Sequence, residues 1–282
     1  GLKDVSRLRV GETLTAQERP AAEPLVIFGG ECSPPTAGLF PSDSDEYPEL
    51  RDALERLKLN DAALFYEPET SQALGFGFRC GFLGLLHMEI VRERLEREFD
   101  LDLLVTAPNV AYRVLTKAGE ESEVHNPADM PREVEQVEEP YIRATTIVPK
   151  DFVGSVMELN NERRGRFHHM EYLSEDRVLL VFDLPLAEIV YDYYDQLKSR
   201  TRGYASFDYD VIGFEPGELV RVDVLLAGDP VDALSLIVHR DGAYARGRAL
   251  VDRLREEIPR QMFDVPVQAA IGSRIIARET IK

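Results

Sequence analysis

Tryptophan is absent from the sequence, cysteine occurs only twice, and no apolar run approaches the roughly 18 residues that a membrane-spanning helix requires. Cys32 and Cys80 lie far apart, which favours two reduced thiols in a cytosolic protein over a disulfide framework. The first residues lack the basic and apolar regions of a signal peptide. These absences argue against a disulfide-stapled secreted domain and against a helical membrane protein.

Positive charge is scarce: 33 lysines and arginines stand against 51 aspartates and glutamates, which gives a formal net charge of −18. The deficit is uneven, because residues 1–140 carry a net charge of −14, residues 141–282 carry −4, and residues 239–282 carry +3. Phosphate attraction dominates sequence-independent binding to nucleic acids, so a phosphate-bearing partner should meet the C-terminal part. The alternative is an acidic surface without such a partner.

Motifs for nucleotide binding and nucleophilic catalysis are also missing. Gly75, Gly77, Gly81 and Gly84 punctuate a predicted strand-to-helix turn, but no Walker lysine follows them and their spacing does not match a dinucleotide fingerprint. We expect these small residues to let the following helix pack closely on the sheet. No G-x-S-x-G segment organises a catalytic serine. The sequence therefore predicts no catalytic and no cofactor-binding residue.

Histidine and cysteine are not arranged for metal binding, since neither C-x-x-C nor H-E-x-x-H occurs. His87 and Glu89 are two residues apart on a predicted helix and should point in different directions. His168 and His169 adjoin on a predicted strand and should face opposite sides of the sheet. No metal site is predicted.

Hydrophobic spacing predicts an α+β fold. Residues 23–117 and 140–218 each follow the order βαββαβ, which is typical of a ferredoxin-like sandwich, so two such sandwiches should lie in tandem. Residues 118–139 are acidic and turn-rich and are predicted to form a linker. Residues 219–282 should form a partial α/β C-terminal domain. Residues 1–22 are β-prone and suggest the tail of a preceding domain, as in an excised fragment.

Hydrophobic residues at helical spacing predict helices over Tyr47–Leu59 and Leu85–Phe99 in the first sandwich. A turn is expected at Glu67–Ser71, because proline removes a hydrogen-bond donor from a strand, and Val110–Leu115 should close the first sheet. In the second half, we expect a helix ending near a C′ glycine at Gly165 and further helices over Leu186–Arg200 and Tyr244–Glu257.

Residues 84–90, GLLHMEI, resemble the G-x-L-H-x-E-[IV] segment in the third domain of ribosomal translocase GTPases such as elongation factor G. The longer stretch from Arg79 to Tyr112 is similar to the LepA branch of that family, also called elongation factor 4. Residues 1–22 resemble the end of its β-barrel second domain, and Asp232–Arg248 and Ile258–Asp264 resemble its C-terminal domain. Elongation factor G has a large fourth domain where residues 118–139 stand here, which are too few for a domain.

The resemblance implies a part of a ribosome-dependent GTPase that promotes back-translocation of tRNAs. GTP and Mg²⁺ would belong to the GTPase domain of the parent protein, and no cofactor is expected in this chain, which lacks the GTP-binding motifs. The implied partners are the ribosome, through its rRNA and ribosomal proteins, and tRNA. The implied state is a cytoplasmic, ribosome-associated monomer without a transmembrane segment, with the inner face of the plasma membrane as a further, peripheral location.

Two basic clusters are the candidate RNA contacts. The first cluster resembles a segment of the family's fifth domain, which lies against ribosomal RNA, and attraction of cations to a helix C-terminus is the alternative reason for it. The second cluster lies in the segment that resembles the LepA C-terminal domain. Arginine can bind phosphate bidentately and tyrosine can stack on a base. The candidates are Lys198, Arg200 and Arg202 in the first cluster, and His239, Arg240, Tyr244, Arg246 and Arg248 in the second.

One segment departs from the LepA pattern. Pro34 and Pro35 stand where LepA has an extended apolar strand, and two prolines weaken a central strand. The first strand should therefore be shorter, shifted to Leu25–Phe28, or confined to a sheet edge. A different class of function, a small-molecule-binding or regulatory module on tandem α/β sandwiches, is the alternative to the ribosomal one.

Overall fold

The computed structural model describes residues 15–16, 18–21, 35–131, 133–190 and 192–282. Within these residues the strands form three antiparallel sheets, and helices pack against them, which confirms the predicted α+β class. Most of the expected β-barrel tail at residues 1–22 and the alternative first strand at Leu25–Phe28 lie outside the described residues. We call the parts built on the three sheets the first, second and third domains.

The first domain has the strand order β2-β3-β1-β4, which is that of a ferredoxin-like sandwich. Its elements are β1 (Thr36–Pro41), α1 (Tyr47–Asn60), β2 (Phe65–Ser71), β3 (Gly75–Gly81), α2 (Leu85–Phe99) and β4 (Leu103–Val105). The helices bury Leu50, Leu54 and Leu57 of α1 and Val91 and Leu95 of α2 against the sheet. Both predicted helices are confirmed.

Strand β1 is an inner strand, because it pairs with β3 on one side and β4 on the other. Of the options considered for this strand, confinement to a sheet edge is therefore wrong. The strand begins at Thr36, so Pro35 lies just before the paired residues rather than among them. The turn predicted at Glu67–Ser71 is also wrong, since these residues belong to β2. Pro68 is tolerated there because β2 is an edge strand with one unpaired side.

The second domain repeats this arrangement and adds a hairpin. Strands β10-β7-β9-β8 reproduce the order of the first sheet, and β5 and β6 extend the sheet from the first part of β7. The elements are β5 (Tyr112–Thr116), β6 (Glu121–Val124), β7 (Val134–Pro149), α3 (Val153–Glu162), β8 (Arg166–Tyr172), β9 (Arg177–Pro185), α4 (Leu186–Ile189), α5 (Tyr193–Arg200) and β10 (Ser206–Pro216).

Two predictions about the junction between the sandwiches are wrong. The strand expected at Val110–Leu115 to close the first sheet is β5 of the second sheet. The expected linker 118–139 contains β6 and the start of β7. The apolar signal was sparse, because few buried residues anchor these segments in the core: Tyr112 and Val114 in β5, Val124 in β6 and Val137 in the first part of β7.

Two further predictions in this domain need correction. The left-handed residue after α3 is Arg164, with φ of 59°, rather than Gly165. Glycine is needed next to it because a Cβ on Gly165 would lie 2.6 Å from the backbone oxygen of Asn160. The helix predicted over Leu186–Arg200 is divided into α4 and α5. Asp192, just before α5, accepts a hydrogen bond from Arg163 at 2.7 Å, which ties this break to the end of α3.

In the third domain one long helix covers one face of a sheet with the order β12-β11-β14-β15, and β13 also pairs with β11. The elements are β11 (Leu219–Leu226), β12 (Asp229–Pro230), β13 (Leu236–His239), α6 (Arg240–Glu257), β14 (Val265–Ile271) and β15 (Arg274–Ile281). Helix α6 begins four residues before the predicted Tyr244. Gly247 allows close packing, because a Cβ there would lie 2.9 Å from the side chain of Ile276.

Candidate RNA-contact surface

The C-terminal end of α5 forms a turn that is fixed from within. Thr201 is fully buried, and its hydroxyl donates to the backbone oxygen of Leu197 at 2.7 Å and accepts from the backbone N–H of Ala205 at 3.3 Å. Arg202 and Gly203 both adopt left-handed φ angles, of 52° and 81°. The turn therefore holds its backbone in one conformation and leaves the side chains of its outer residues in solvent.

The three basic residues predicted at this turn have different surroundings. Lys198 donates to the backbone oxygen of Ala205, and its ammonium group lies 5.2 Å from the ring centre of Tyr194. Arg200 is paired with Glu162, with 2.6 Å between Nη2 and Oε2. Arg202 is exposed, and among the described residues no carboxylate forms an ion pair with it. Arg202 is thus the cation of this turn that is free to meet a phosphate.

Tyr204 was not among the predicted site residues, although it lies two residues after Arg202. Its side chain is 68% exposed, and its ring stacks on that of Phe152 with 6.2 Å between the centroids. An aromatic residue directly after an Arg-Gly pair at a helix end was the available signal. The turn therefore exposes a cation and an aromatic ring that are two residues apart in sequence.

The second cluster begins at the N-terminus of α6. His239 caps the helix, since its Nδ1 accepts a hydrogen bond from the backbone N–H of Asp241 at 3.4 Å. Arg240 is largely exposed and makes only a distant ion pair with Glu218, at 3.8 Å. Tyr244 is 63% exposed. Arg240 and Tyr244 lie four residues apart on the helix, so they share one face.

Arg246 and Arg248 do not extend this surface as one patch. They are two residues apart on α6, so their side chains point in different directions. Arg246 donates to Glu188 of the second domain at 3.0 Å. Arg248 donates to Asp252 at 3.0 Å and to Glu279 at 2.6 Å. Both are engaged by carboxylates, which makes them poorer phosphate ligands than Arg240.

Arg246 belongs to a chain of charges that joins the second and third domains. Arg164 donates twice to the buried carboxylate of Glu139, at 2.7 and 2.8 Å, and once to Glu188, at 3.0 Å. Glu188 then accepts from Arg246. Burial acts to lower the pKa of Arg164, but the hydrogen bonds and charges of the two glutamates outweigh it and raise that pKa. Arg246 therefore holds α6 against the second domain.

A cleft lies where the three domains meet, with a volume of about 730 Å³. The first domain contributes Glu69 and Arg79, which form an ion pair, and Glu69 also accepts from Asn126 of the second domain at 2.7 Å. The remaining walls are mostly apolar and include Phe40 and Leu250. The three domains also contact one another directly, through hydrogen bonds between Glu69 and Asn126, Ser71 and Asp232, and Arg246 and Glu188.

The histidine of the GLLHMEI segment has a structural place. His87 Nδ1 accepts from the backbone N–H of Leu83 at 3.0 Å, so Nε2 carries the proton that is shared with Asp61 at 2.7 Å. Burial acts to raise the pKa of Asp61. The hydrogen bonds that its carboxylate accepts from His87 and from the backbone N–H groups of Ala63 and Leu64 outweigh burial and lower that pKa overall. His87 thereby joins the start of α2 to the end of α1.

Two of the four glycines before α2, Gly77 and Gly84, do not serve helix packing in the way predicted. A Cβ on Gly77 would lie 2.4 Å from the ring of Phe40, so this glycine makes room for a side chain of the neighbouring strand, not for α2. No atom lies within 4 Å of a Cβ built on Gly84. In the described part of the chain, no group of three or more His, Cys, Asp or Glu side chains is placed to hold a metal ion.

Comparison with known proteins identifies the family. Residues 136–225 match the family model for the elongation factor G C-terminus, and residues 226–282 match that for the C-terminus of the GTP-binding protein LepA. A relative from Rubrobacter xylanophilus, named elongation factor 4, is 60% identical over 282 residues, all of this chain and 47% of the relative. The chain belongs to the elongation factor 4, or LepA, family. It spans about half the length of the curated relatives that it matches.

Other elongation factor 4 proteins show the same similarity. Those of Halalkalibacterium halodurans and Geobacillus thermodenitrificans are 59% and 58% identical over 283 residues, all of this chain and 46% of each relative. A solved structure from Thermus thermophilus aligns with 67% of this chain and 42% of its own, at 17% identity and a TM-score of 0.46. No helix in the described part of the chain has the length and apolar character needed to cross a bilayer.

Proposed function

We propose that this chain is the ribosome- and tRNA-contacting part of an elongation factor 4 protein. We further propose that the whole protein is a ribosome-dependent GTPase that promotes back-translocation. Membership of a family of translation elongation factors is the observation that carries this function. The alternative function, a small-molecule or regulatory module, has no comparable support.

Two arginine–tyrosine pairs support RNA contact by the second and third domains. Arg202 with Tyr204, and Arg240 with Tyr244, each combine an exposed guanidinium group with an exposed ring. A guanidinium group binds phosphate oxygens through two parallel hydrogen bonds, and a tyrosine ring stacks on an unpaired base. These pairs are better suited to RNA than Arg200, Arg246 or Arg248, which carboxylates already engage.

The remaining features of the proposal follow from the family. GTP and Mg²⁺ would act in the part of the protein that carries the GTPase motifs, and this chain would supply contacts to rRNA, ribosomal proteins and tRNA. A ribosome-bound factor of this kind would work in the cytoplasm as a monomer. Peripheral association with the inner face of the plasma membrane stays a prediction.

Cosedimentation with ribosomes across a salt series tests the proposal. The unsubstituted chain of 282 residues should pellet with ribosomes, and Arg202→Ala and Arg240→Ala should each weaken its binding to ribosomes. Affinity falls as salt rises, so the slope of log affinity against log salt concentration is negative. Each lost phosphate contact should make this slope shallower by about 0.7 to 0.9. Arg97→Ala is a matched control, because Arg97 is 78% exposed on α2 of the first domain. Salt-insensitive binding, or none, by the parent chain would contradict the proposal.

A further inference from the structure

Strand β8 carries two adjacent histidines that share one side of the sheet edge, against the expectation that they face opposite ways. The register of β8 against β9 shifts between Phe167 and His169, which marks a β-bulge at His168. A bulge inserts an extra residue and re-aims its side chain. The Nδ1 atoms of His168 and His169 consequently lie 3.1 Å apart, with the rings at 73° to each other.

This separation matches that of two ligands on one metal ion. Imidazole nitrogens bind metals such as zinc at about 2.0 to 2.1 Å, so two of them lie about 2.9 Å apart at a right angle and about 3.4 Å apart at the tetrahedral angle. The observed 3.1 Å falls between these limits. In the metal-free protein one Nδ1–H donates to the other Nδ1. To bind one metal ion through both Nδ1 atoms, each imidazole must be the tautomer that carries its proton on Nε2, so the proton between the rings would move to Nε2 by exchange with water.

The surroundings leave the pair open to an ion. β8 is an edge strand and all seven of its residues are exposed, so water can fill the remaining coordination positions. Two charged neighbours are already engaged: Arg166 binds Glu215 at 2.6 Å, and Asp183 binds Arg143 at 2.8 Å. Glu171 also lies on β8, two residues after His169.

The other three histidines of the sequence have different positions. His87 lies between Asp61 and Leu83, and His239 caps α6. His125 has its Nε2 3.4 Å from Glu123, and no second histidine faces it among the described residues. The pair on β8 is therefore the place in the described chain where two imidazoles converge.

We propose that His168 and His169 form a two-histidine site for a divalent first-row transition metal ion. Two neutral imidazoles and water suit copper, nickel and zinc, and affinity at such a site should follow the order in which Cu²⁺ binds more tightly than Ni²⁺ or Zn²⁺. The site is independent of the proposed ribosomal function, because it uses neither arginine–tyrosine pair.

Titration of the untagged chain with Cu²⁺, followed by calorimetry, tests the site. The parent should bind one Cu²⁺ per chain at this site, and His168→Asn and His169→Asn should each weaken that binding by about tenfold or more, because one of the two imidazoles is lost. His239→Asn is the matched control and should leave it unchanged. Circular dichroism checks that each variant is folded.

Three results would overturn the proposal. The first is Cu²⁺ binding that both histidine variants retain. The second is loss of Cu²⁺ binding in only one of the two histidine variants, which indicates that a single histidine binds the ion. The third is tighter binding of Zn²⁺ than of Cu²⁺.

Discussion

Ser71 and Asp232 are 161 positions apart in sequence, and the Ser71 hydroxyl donates to the Asp232 carboxylate, with Oγ 3.1 and 3.0 Å from its two oxygens. The same carboxylate accepts from the backbone N–H of Gln72 at 2.8 Å and of Ala73 at 3.3 Å. Asp232 precedes β13 of the third domain, and Ser71 ends β2 of the first. The carboxylate of Asp232 therefore accepts hydrogen bonds from three donors at the end of β2 and in the turn after it, and holds the first and third domains together.

Replacing this carboxylate should loosen that contact. Asp232→Asn keeps the shape of the side chain but puts an amide where one oxygen accepts from N–H groups. We expect the free energy of unfolding to fall by about 1 to 3 kcal/mol, because a partly buried donor loses its acceptor. Urea denaturation measures the change. Asp229→Asn, at an exposed residue nearby in sequence, should change the free energy by less than about 0.5 kcal/mol.

Asp232 should also make stability depend on acid. Burial acts to raise its pKa, but the hydrogen bonds from Gln72, Ser71 and Ala73 lower it below the ordinary value of 3.8. A lowered pKa in the folded state contributes stability that is fully present above the unfolded value and is lost as pH falls through the folded value. Between pH 5 and pH 3, the melting temperature should therefore fall less steeply for Asp232→Asn than for the unsubstituted chain. Parallel curves would contradict the role assigned to this carboxylate.

Arg246 and Arg240 should separate domain docking from RNA binding. Arg246→Ala removes the cation that pairs with the largely buried Glu188 and should lower the free energy of unfolding by about 1 kcal/mol, since Arg246 itself is partly exposed. Arg240→Ala should leave stability within about 0.5 kcal/mol but weaken ribosome binding. Denaturation and cosedimentation on both variants provide the comparison. The reverse pattern would assign RNA contact to Arg246 instead.

Gly77 should tolerate no side chain. A Cβ there would meet the Phe40 ring at 2.4 Å and the backbone oxygen of Leu39 at 2.5 Å, so Gly77→Ala should lower the free energy of unfolding by about 1 to 3 kcal/mol through overpacking. Gly154→Ala in α3 is a control of opposite sign. Its Cβ would meet nothing within 4 Å, and the helix should gain up to about 1 kcal/mol. Equal effects at both sites would rule out the steric explanation.

The His87–Asp61 pair should show coupling in a double-mutant cycle. His87→Ala removes the partner of Asp61 and the acceptor for Leu83, and Asp61→Asn weakens the same bond from the other side. We expect a coupling energy of about 0.5 to 3 kcal/mol from urea denaturation of the four proteins. Additive effects would mean that the two side chains act independently.

Local pattern alone was enough to predict α1, α2 and the repeated βαββαβ order. Leu50, Leu54 and Leu57 recur at helical spacing, and such spacing fixes both the element and its buried face. The GLLHMEI segment predicted the family by its resemblance to a known motif, and the 60% identity to an elongation factor 4 relative over the whole chain confirms that prediction. These properties depend on residues close together in sequence, so the sequence by itself determined them.

Only the tertiary structure decided which distant residues meet. It assigned β5 to the second sheet, because strand pairing is set by long-range hydrogen bonds that a short apolar run does not encode. It paired Arg246 with Glu188, and a bulge turned His168 and His169 to one side. The sequence shows that an arginine is charged. The packing of the domains decides which carboxylate neutralises that charge, and therefore whether the arginine is free to bind RNA.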